Sequence, residues 1–319
     1  MTRIDRLSPA ALGALCAAVA VVFFSINDVA IKFLSGGYAL HQVVLIRSVI
    51  GIVVIVAVIG PLTGGSVART ARLPIHLLRG LCVVLANMTF FLGLAAMELA
   101  EAMAIFFVSP LVITAFSVIF LGERVGPRRW AAIGVGFVGV LVMMRPGTAA
   151  FQYASLLPLA AAVFYAAIHT MTRVLGGTDS AATMAFYIQV MFIVVCVAMG
   201  LAVGDGRFGA QEDPSLAFLL RAWTWPPVAD YALFVVIGVG TALAGYLISQ
   251  AYRVAEASVV APVEYLALPM SVVWGMAVFG EYPAPLDYAG MALILGAGLF
   301  SVWRERAVRA PGLQRPLRR

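Results

Sequence analysis

VFFSINDVAIKFL (22–34) and VFYAAIHTMTRVL (163–175) are two versions of one phrase, set 141 residues apart. Both open Val-Phe-aromatic and close on a basic residue, an apolar residue and leucine. Both also hold polar groups inside an apolar run: Asn27 and Asp28 in the first, His169 in the second. The likeness continues outward. FLGLAAMELAEA (91–102) parallels YLISQAYRVAEA (246–257), FLGE ending at Glu123 parallels VFGE ending at Glu281, and Arg47 stands where the later copy has Gln189. Counted back from those glutamates, Pro110 and Pro269 agree within one residue, whereas Pro262 has no partner. A chain that repeats itself over this length reads as two copies of one structural unit.

Composition says what solvent the copies fold in. Of 319 residues, 63% are hydrophobic and 11% charged, and the mean hydropathy is +1.01. Globular proteins average about a quarter charged residues, so this is an integral membrane protein. A bilayer core of roughly 30 Å takes about 20 apolar residues as helix. Such stretches fall at 10–34, 40–60, 74–97, 100–121, 128–145, 153–175, 180–203, 229–253, 256–280 and 284–304. The segment 204–228 is the one long connection, and Trp223 and Trp225 near its end read as interface anchors. Residues 1–20 imitate a signal peptide, but the apolar run continues to Leu34 and shares in the repeat, which argues for a retained first span.

Charge placement orients the spans. With the N-terminus in the cytoplasm, 16 of the 21 Lys and Arg residues fall on the inner side, six of them in the last sixteen residues. The exceptions are Lys32, Arg47, Arg145, Arg207 and Arg221. An even count of spans is needed to keep both termini inside. Five spans per copy is odd, so the second copy enters upside down. The expected fold is all-α: ten transmembrane helices as two inverted five-helix repeats, 10–145 and 153–304, around a central cavity, followed by a basic cytoplasmic tail, 305–319. Transporters built this way bind their solute near the midplane between the copies.

Other classes find no support. The +6 charge comes without a basic stripe bearing aromatics, so nucleic acid is not an expected partner. Cys16, Cys82 and Cys196 are widely spaced within apolar runs, which excludes a CxxC metal site and a disulfide framework. GVGFVG from Gly134 matches a dinucleotide loop, yet it lies inside an apolar span, where its glycines suit close helix contact. An intramembrane enzyme needs a nucleophile–base pair or a metal cluster at one depth, and none is found. No cofactor is expected.

The phrases AEAMAIFFVSPLVITAFSVIFLGERVGPRRW from Ala100 and AEASVVAPVEYLALPMSVVWGMAVFGE from Ala255, with the paired first spans, resemble the drug/metabolite transporter superfamily in its EamA type, with two EamA domains. The resemblance covers roughly residues 10–304. It implies a ten-helix bundle in the inner or plasma membrane that moves small organic metabolites without ATP, among them amino acids and S-adenosylmethionine. The expected activity is alternating-access transport of a small polar solute, an amino acid or related compound, either proton-linked or facilitative. S-adenosylmethionine or a nucleoside-like metabolite is the alternative. Solute and bilayer are the expected partners, and a homodimer is left open.

A charge at mid-bilayer costs about 2.5–3.5 kcal/mol on insertion scales, so each one needs a partner or a wet cavity. Glu264, between Pro262 and Pro269, is the first candidate for binding a cation or a proton. Asp28 stands four residues before Lys32, the spacing of a local ion pair, and Asn27 is a separate candidate for lining the path. His169 is the natural proton-linked group. Arg47 faces either an anionic solute group or an acid such as Asp28 or Glu264. Tyr165, Gln189, Tyr246, Gln250, Tyr265 and Trp274 supply hydrogen bonds and aromatic walls. Glu101, Glu123, Glu256 and Glu281 read as loop-boundary residues, and Arg253 and Glu256 as a local pair.

Overall fold

Apolar runs in lipid must satisfy their backbone groups internally, and helix does so within one segment. The computed structural model describes residues 8–63, 67–122, 126–148, 152–175, 179–255 and 257–309, and among them no strand occurs. The helices are α1 (Pro9–Leu34), α2 (Leu40–Val54), α3 (Leu73–Ala96), α4 (Leu99–Phe106), α5 (Ser109–Leu121), α6 (Pro127–Met144), α7 (Leu156–Leu175), α8 (Ala181–Val203), α9 (Pro214–Leu220), α10 (Val228–Val254), α11 (Ala257–Glu264), α12 (Ala267–Trp274) and α13 (Pro285–Arg309). Serine caps mark two starts: Ser8 Oγ accepts from Ala11 N at 3.2 Å, and Ser180 Oγ accepts from Thr183 N at 3.0 Å.

Among the described residues, seven helical spans are long and apolar enough to cross a membrane: Pro9–Leu34, Leu40–Leu62, Leu73–Ala96, Leu99–Phe120, Ala182–Val203, Val228–Tyr252 and Pro262–Phe279. Three shorter apolar helices, Trp130–Met144, Tyr153–Ile168 and Pro285–Ser301, fall on the other expected stretches. Polarity is inverted relative to a soluble protein. Leu201 is 84% exposed and Phe120 66%, whereas Arg47 is 1% exposed and Asn27 3%. This is a multi-pass membrane protein, its greasy faces turned outward and its polar groups inward.

Two of the expected spans are broken in the middle. α4 stops at Phe106 and α5 begins at Ser109, while α11 stops at Glu264 and α12 begins at Ala267. Pro110 and Pro269 sit in the first turn of α5 and α12, where a missing N–H costs nothing. Pro262 lies inside α11, where it removes a backbone donor just before the break. Broken helices are tolerated in membranes where they line a cavity or are buried in protein.

Packing runs α1 along α10, α3 along α7, α2 along α8, α2 along α10, α3 along α8, and α6 along α13. α5 packs on α7, α1 on α11, and α4 on α12. α6 and α13 meet backbone to backbone. A Cβ on Gly139 would stand 2.9 Å from the Gly290 carbonyl oxygen, and one on Gly290 would stand 3.0 Å from that of Gly139. The glycine run therefore serves helix contact at Gly139, as its composition suggests, while Gly134 faces open space.

The 204–228 connection is not slack. α9 is capped by Asp213 and pinned by Ser215 Oγ, which donates to Leu92 O at 2.7 Å. Arg221 donates to Ser35 O at 2.8 Å, and Thr224 N donates to Gln42 Oε1 at 3.2 Å. Trp223 packs on Gly200 and lies 5.7 Å from the His41 ring, so it is a tertiary contact as much as an anchor. Trp225 is 89% exposed.

Two expectations are corrected here. Asp28 and Lys32 do not form a local ion pair: Lys32 Nζ reaches Glu281 Oε1 at 2.5 Å and also donates to Met97 O. Glu281 is therefore no plain loop-boundary residue. The helical i,i+4 geometry permits the Asp28 pairing, but Lys32 lies at the helix end, where a carbonyl and a carboxylate from other segments converge.

Candidate functional site

The buried candidate residues fall into two groups. The first is centred on Arg47 of α2. Its guanidinium donates to Asn27 Oδ1 and Asn87 Oδ1, both at 3.4 Å, and lies 5.6 Å from the Phe91 ring centre and 5.1 Å from that of Phe192. Asn27 passes the interaction on, because its amide donates to Asp28 Oδ1 at 3.2 Å while Thr241 Oγ1 donates to Asn27 Oδ1 at 3.0 Å. Arg47 thus meets Asp28 through the Asn27 amide. Gln189, its counterpart in the repeat, lies 5% exposed on α8 against Gly51 of α2, where a Cβ would come within 2.6 Å of Gln189 Nε2. Arg47 reaches onto α8 and Gln189 onto α2 in return.

The second group surrounds the two helix breaks. Glu264 ends α11 and pairs with the Tyr252 hydroxyl; its Oε1 is buried without a hydrogen-bond partner among the described residues. Tyr265, 4% exposed, likewise holds a buried hydroxyl with no partner among them. Rings line the breaks. Phe107 lies 5.1 Å from Tyr265, and Phe106 lies 5.2 Å from both Tyr165 and Phe90. Tyr165 and Arg79 interact electrostatically, and Tyr165 also feels Glu264.

The sequence candidates are therefore divided. Asn27, Asp28, Arg47 and Gln189 gather around the α2–α8 contact, and Glu264, Tyr265 and Tyr165 around the breaks. The Gln250 amide donates to the Tyr246 hydroxyl along α10 at 2.8 Å, which uses one of its N–H groups within its own helix. Trp274 packs half-buried on the main core. The side chains of His169, Glu123, Arg253 and Glu256 lie outside the described residues. Asn87, Thr241, Tyr252 and Arg79 were missed, although a polar residue amid an apolar span was signal enough to include them. No group of three or more His, Cys, Asp or Glu able to hold a metal occurs among the described residues.

Staples join the segments outside the spans. Between α1 and α2, the Tyr38 hydroxyl donates to Asp230; burial first, and that carboxylate second, push it up to about 12. Between α7 and α8, Asp179 is held below the ordinary carboxylate range, chiefly by its bond to His76 and also by Thr70. Glu98, between α3 and α4, is raised by burial and then by the nearby Glu281 and Asp287 carboxylates. A cavity of about 550 Å³ opens between α2, α10 and the strap at 223–226, with walls such as Leu45, Ile46, Trp223 and Phe234; none of the site candidates lines it.

Comparison with known proteins shows the family of the chain. The EamA-like transporter family matches residues 11–145. A riboflavin transporter of Rhizobium johnstonii is 34% identical over 237 residues, 74% of this chain and 72% of that one. A riboflavin transporter of Vibrio cholerae is 31% identical over 302 residues, 93% of this chain and 95% of that one. An S-adenosylmethionine uptake transporter of Rickettsia prowazekii is 25% identical over 288 residues, 90% and 91% of the two chains.

Proposed function

The chain belongs to the EamA-like transporter family, and from that premise we propose that it carries riboflavin or a closely similar planar heteroaromatic metabolite by alternating access. It is a transporter of small molecules and not an enzyme. The observation that carries the solute reading is the lining of the helix breaks. Phe106, Phe107, Tyr165 and Tyr265 offer aromatic faces, and Glu264 Oε1 and the Tyr265 hydroxyl are buried polar atoms without a partner among the described residues. Such atoms cost free energy unless something bonds to them. A flat ring system with N–H and C=O edges meets both needs, stacking on the rings and bonding to the acid and the hydroxyl. The relatives named riboflavin transporters support the same solute, and they move the reading from an amino acid toward a heterocycle.

The inverted two-copy organisation, 10–145 and 153–304, belongs to this proposal. Its support is the pairing of contacts. Exchanging the copies maps α1–α10 onto α7–α3, α2–α10 onto α8–α3, α1–α11 onto α7–α4 and α1–α12 onto α7–α5, while α2–α8 and α6–α13 map onto themselves. The staples follow the same exchange, since positions 38 and 179 are 141 apart and each bonds into the other copy. Interchangeable halves are what convert an outward-open cavity into an inward-open one. The arginine bias supports cytoplasmic termini, and the family resemblance supports an inner or plasma membrane location.

The test is flux in proteoliposomes. Purified protein takes up labelled riboflavin in preference to S-adenosylmethionine, and Glu264→Gln lowers the rate at least tenfold while the protein stays folded. Faster S-adenosylmethionine flux would replace the solute, and normal flux and pH dependence in the mutant would remove Glu264 from the path.

A further inference from the structure

The segments around Lys32 meet in an arrangement that the solute site does not use. α3 ends at Ala96 and α4 begins at Leu99, and this corner presents a free carbonyl, Met97 O, beside a free N–H, that of Leu99. Lys32 donates to the carbonyl and Glu281 Oε2 accepts from the N–H at 2.8 Å, while the two side chains meet each other at 2.5 Å. Each charge therefore sits on the helix end that suits it, cation at the C-terminus and carboxylate at the N-terminus. The pair is mostly buried, at 11% and 19% side-chain exposure, and Phe279 covers the ammonium at 5.2 Å.

Three of these four groups come from residues 10–145; Glu281 alone comes from the second half. It is aimed there by Gly280, whose φ of +67° is a left-handed turn that only glycine enters freely. We infer that Glu281 is the gate of this end of the bundle: it must leave Lys32 and Leu99 for the solute to pass, and its return closes the path. The inference rests on the alternating-access reading. Energetics suit a gate. Desolvation of a part-buried ion pair offsets much of its attraction, so the pair holds while dry and separates at modest cost once water reaches it. Lys32 keeps Met97 O when Glu281 departs, so one half of the latch stays set for the return. The repeat has a basic residue at 173 where 32 is lysine and a glutamate at 123 where 281 is glutamate, and Gly122 takes φ +66° as Gly280 takes +67°. The side chains of that second pair lie outside the described residues.

The decisive experiment joins the gate covalently. In protein with Cys16, Cys82 and Cys196 replaced by serine, Lys32→Cys and Glu281→Cys are cross-linked in proteoliposomes. Riboflavin flux is expected to fall to the liposome background and to return on cleaving the link. A static staple predicts full flux with the link in place, and that result would overturn the gate. A second arm needs no solute. Met103, one turn below Leu99 on α4 and 6% exposed, is made the sole cysteine and reacted with a membrane-impermeant maleimide. Glu281→Gln is expected to raise its labelling rate about tenfold by shifting the population toward the open form. An unchanged rate also overturns the gate. A wild type that carries no riboflavin sinks the solute reading instead, and the labelling arm still decides the gate.

Discussion

His76 Nε2, in the first turn of α3, lies 2.6 Å from Oδ2 of Asp179, two residues before α8, and the same oxygen accepts from Thr70 Oγ1 at 2.9 Å. Tyr187 stacks on the imidazole at 5.2 Å and donates to Ala68 O at 2.7 Å. Three segments are thereby fastened together through one carboxylate.

That carboxylate gives the stability a pH dependence. A carboxyl held below its unfolded pKa contributes stability above that value, and the contribution disappears as pH falls through the folded one. The thermal midpoint in detergent should therefore drop as pH is taken below about 4, the unpaired range of aspartate. Asp179→Asn should flatten this part of the profile and cost about 1 kcal/mol near neutrality. Scanning fluorimetry across pH, wild type against mutant, checks both.

Arg47 should be intolerant of shortening. Arg47→Ala leaves Asn27 and Asn87 facing an empty space and should cost about 3–5 kcal/mol, or abolish accumulation of the protein. Arg47→Lys keeps the charge but not the planar fork that reaches both asparagines and lies against Phe91 and Phe192. It should lose about 1–3 kcal/mol. Thermal unfolding of the purified variants measures the order.

Tyr265 should separate stability from transport. Its hydroxyl is buried with no partner among the described residues, so Tyr265→Phe should stabilise the solute-free protein, by about 1 kcal/mol. If the hydroxyl meets the solute, KM for riboflavin should rise severalfold. An unchanged KM would take Tyr265 out of the binding surface while leaving the ring as a wall.

Gly139 should reject a side chain that Gly134 accepts. Gly139→Leu would force α6 away from the Gly290 backbone and should cost about 1–3 kcal/mol as overpacking does. Gly134→Ala meets nothing within 4 Å and should be tolerated, with a gain of up to about 1 kcal/mol from helix propensity. The comparison is read from expression level and thermal midpoint.

Much of this was legible in the sequence for one reason: lipid makes each span a long, uniform word. The apolar runs, the repeat and the odd charges within them needed no tertiary information, and Arg47, Asn27 and Asp28 do come together. What stayed hidden was pairing over distance. Lys32 has an acid one turn away in sequence, and local rules prefer it, yet its partner is Glu281 at the end of another broken span. Asn87 and Thr241 stand out as polar residues amid apolar spans, but their place beside Arg47 and Asn27 is a tertiary fact that the sequence does not carry. Gln250 also has a local bond that the sequence does not announce, its amide donating to Tyr246 one turn back on the same helix.

The strap formed by α9 and residues 221–224 belongs by sequence to the second half and is bonded to both: it reaches Leu92, Ser35 and Gln42 of the first, while the Trp223 N–H donates to Gly204 O, at the end of α8, at 2.9 Å. It is a rivet through the two halves at this end. A change of angle between them here would have to break the bonds on one of its two sides.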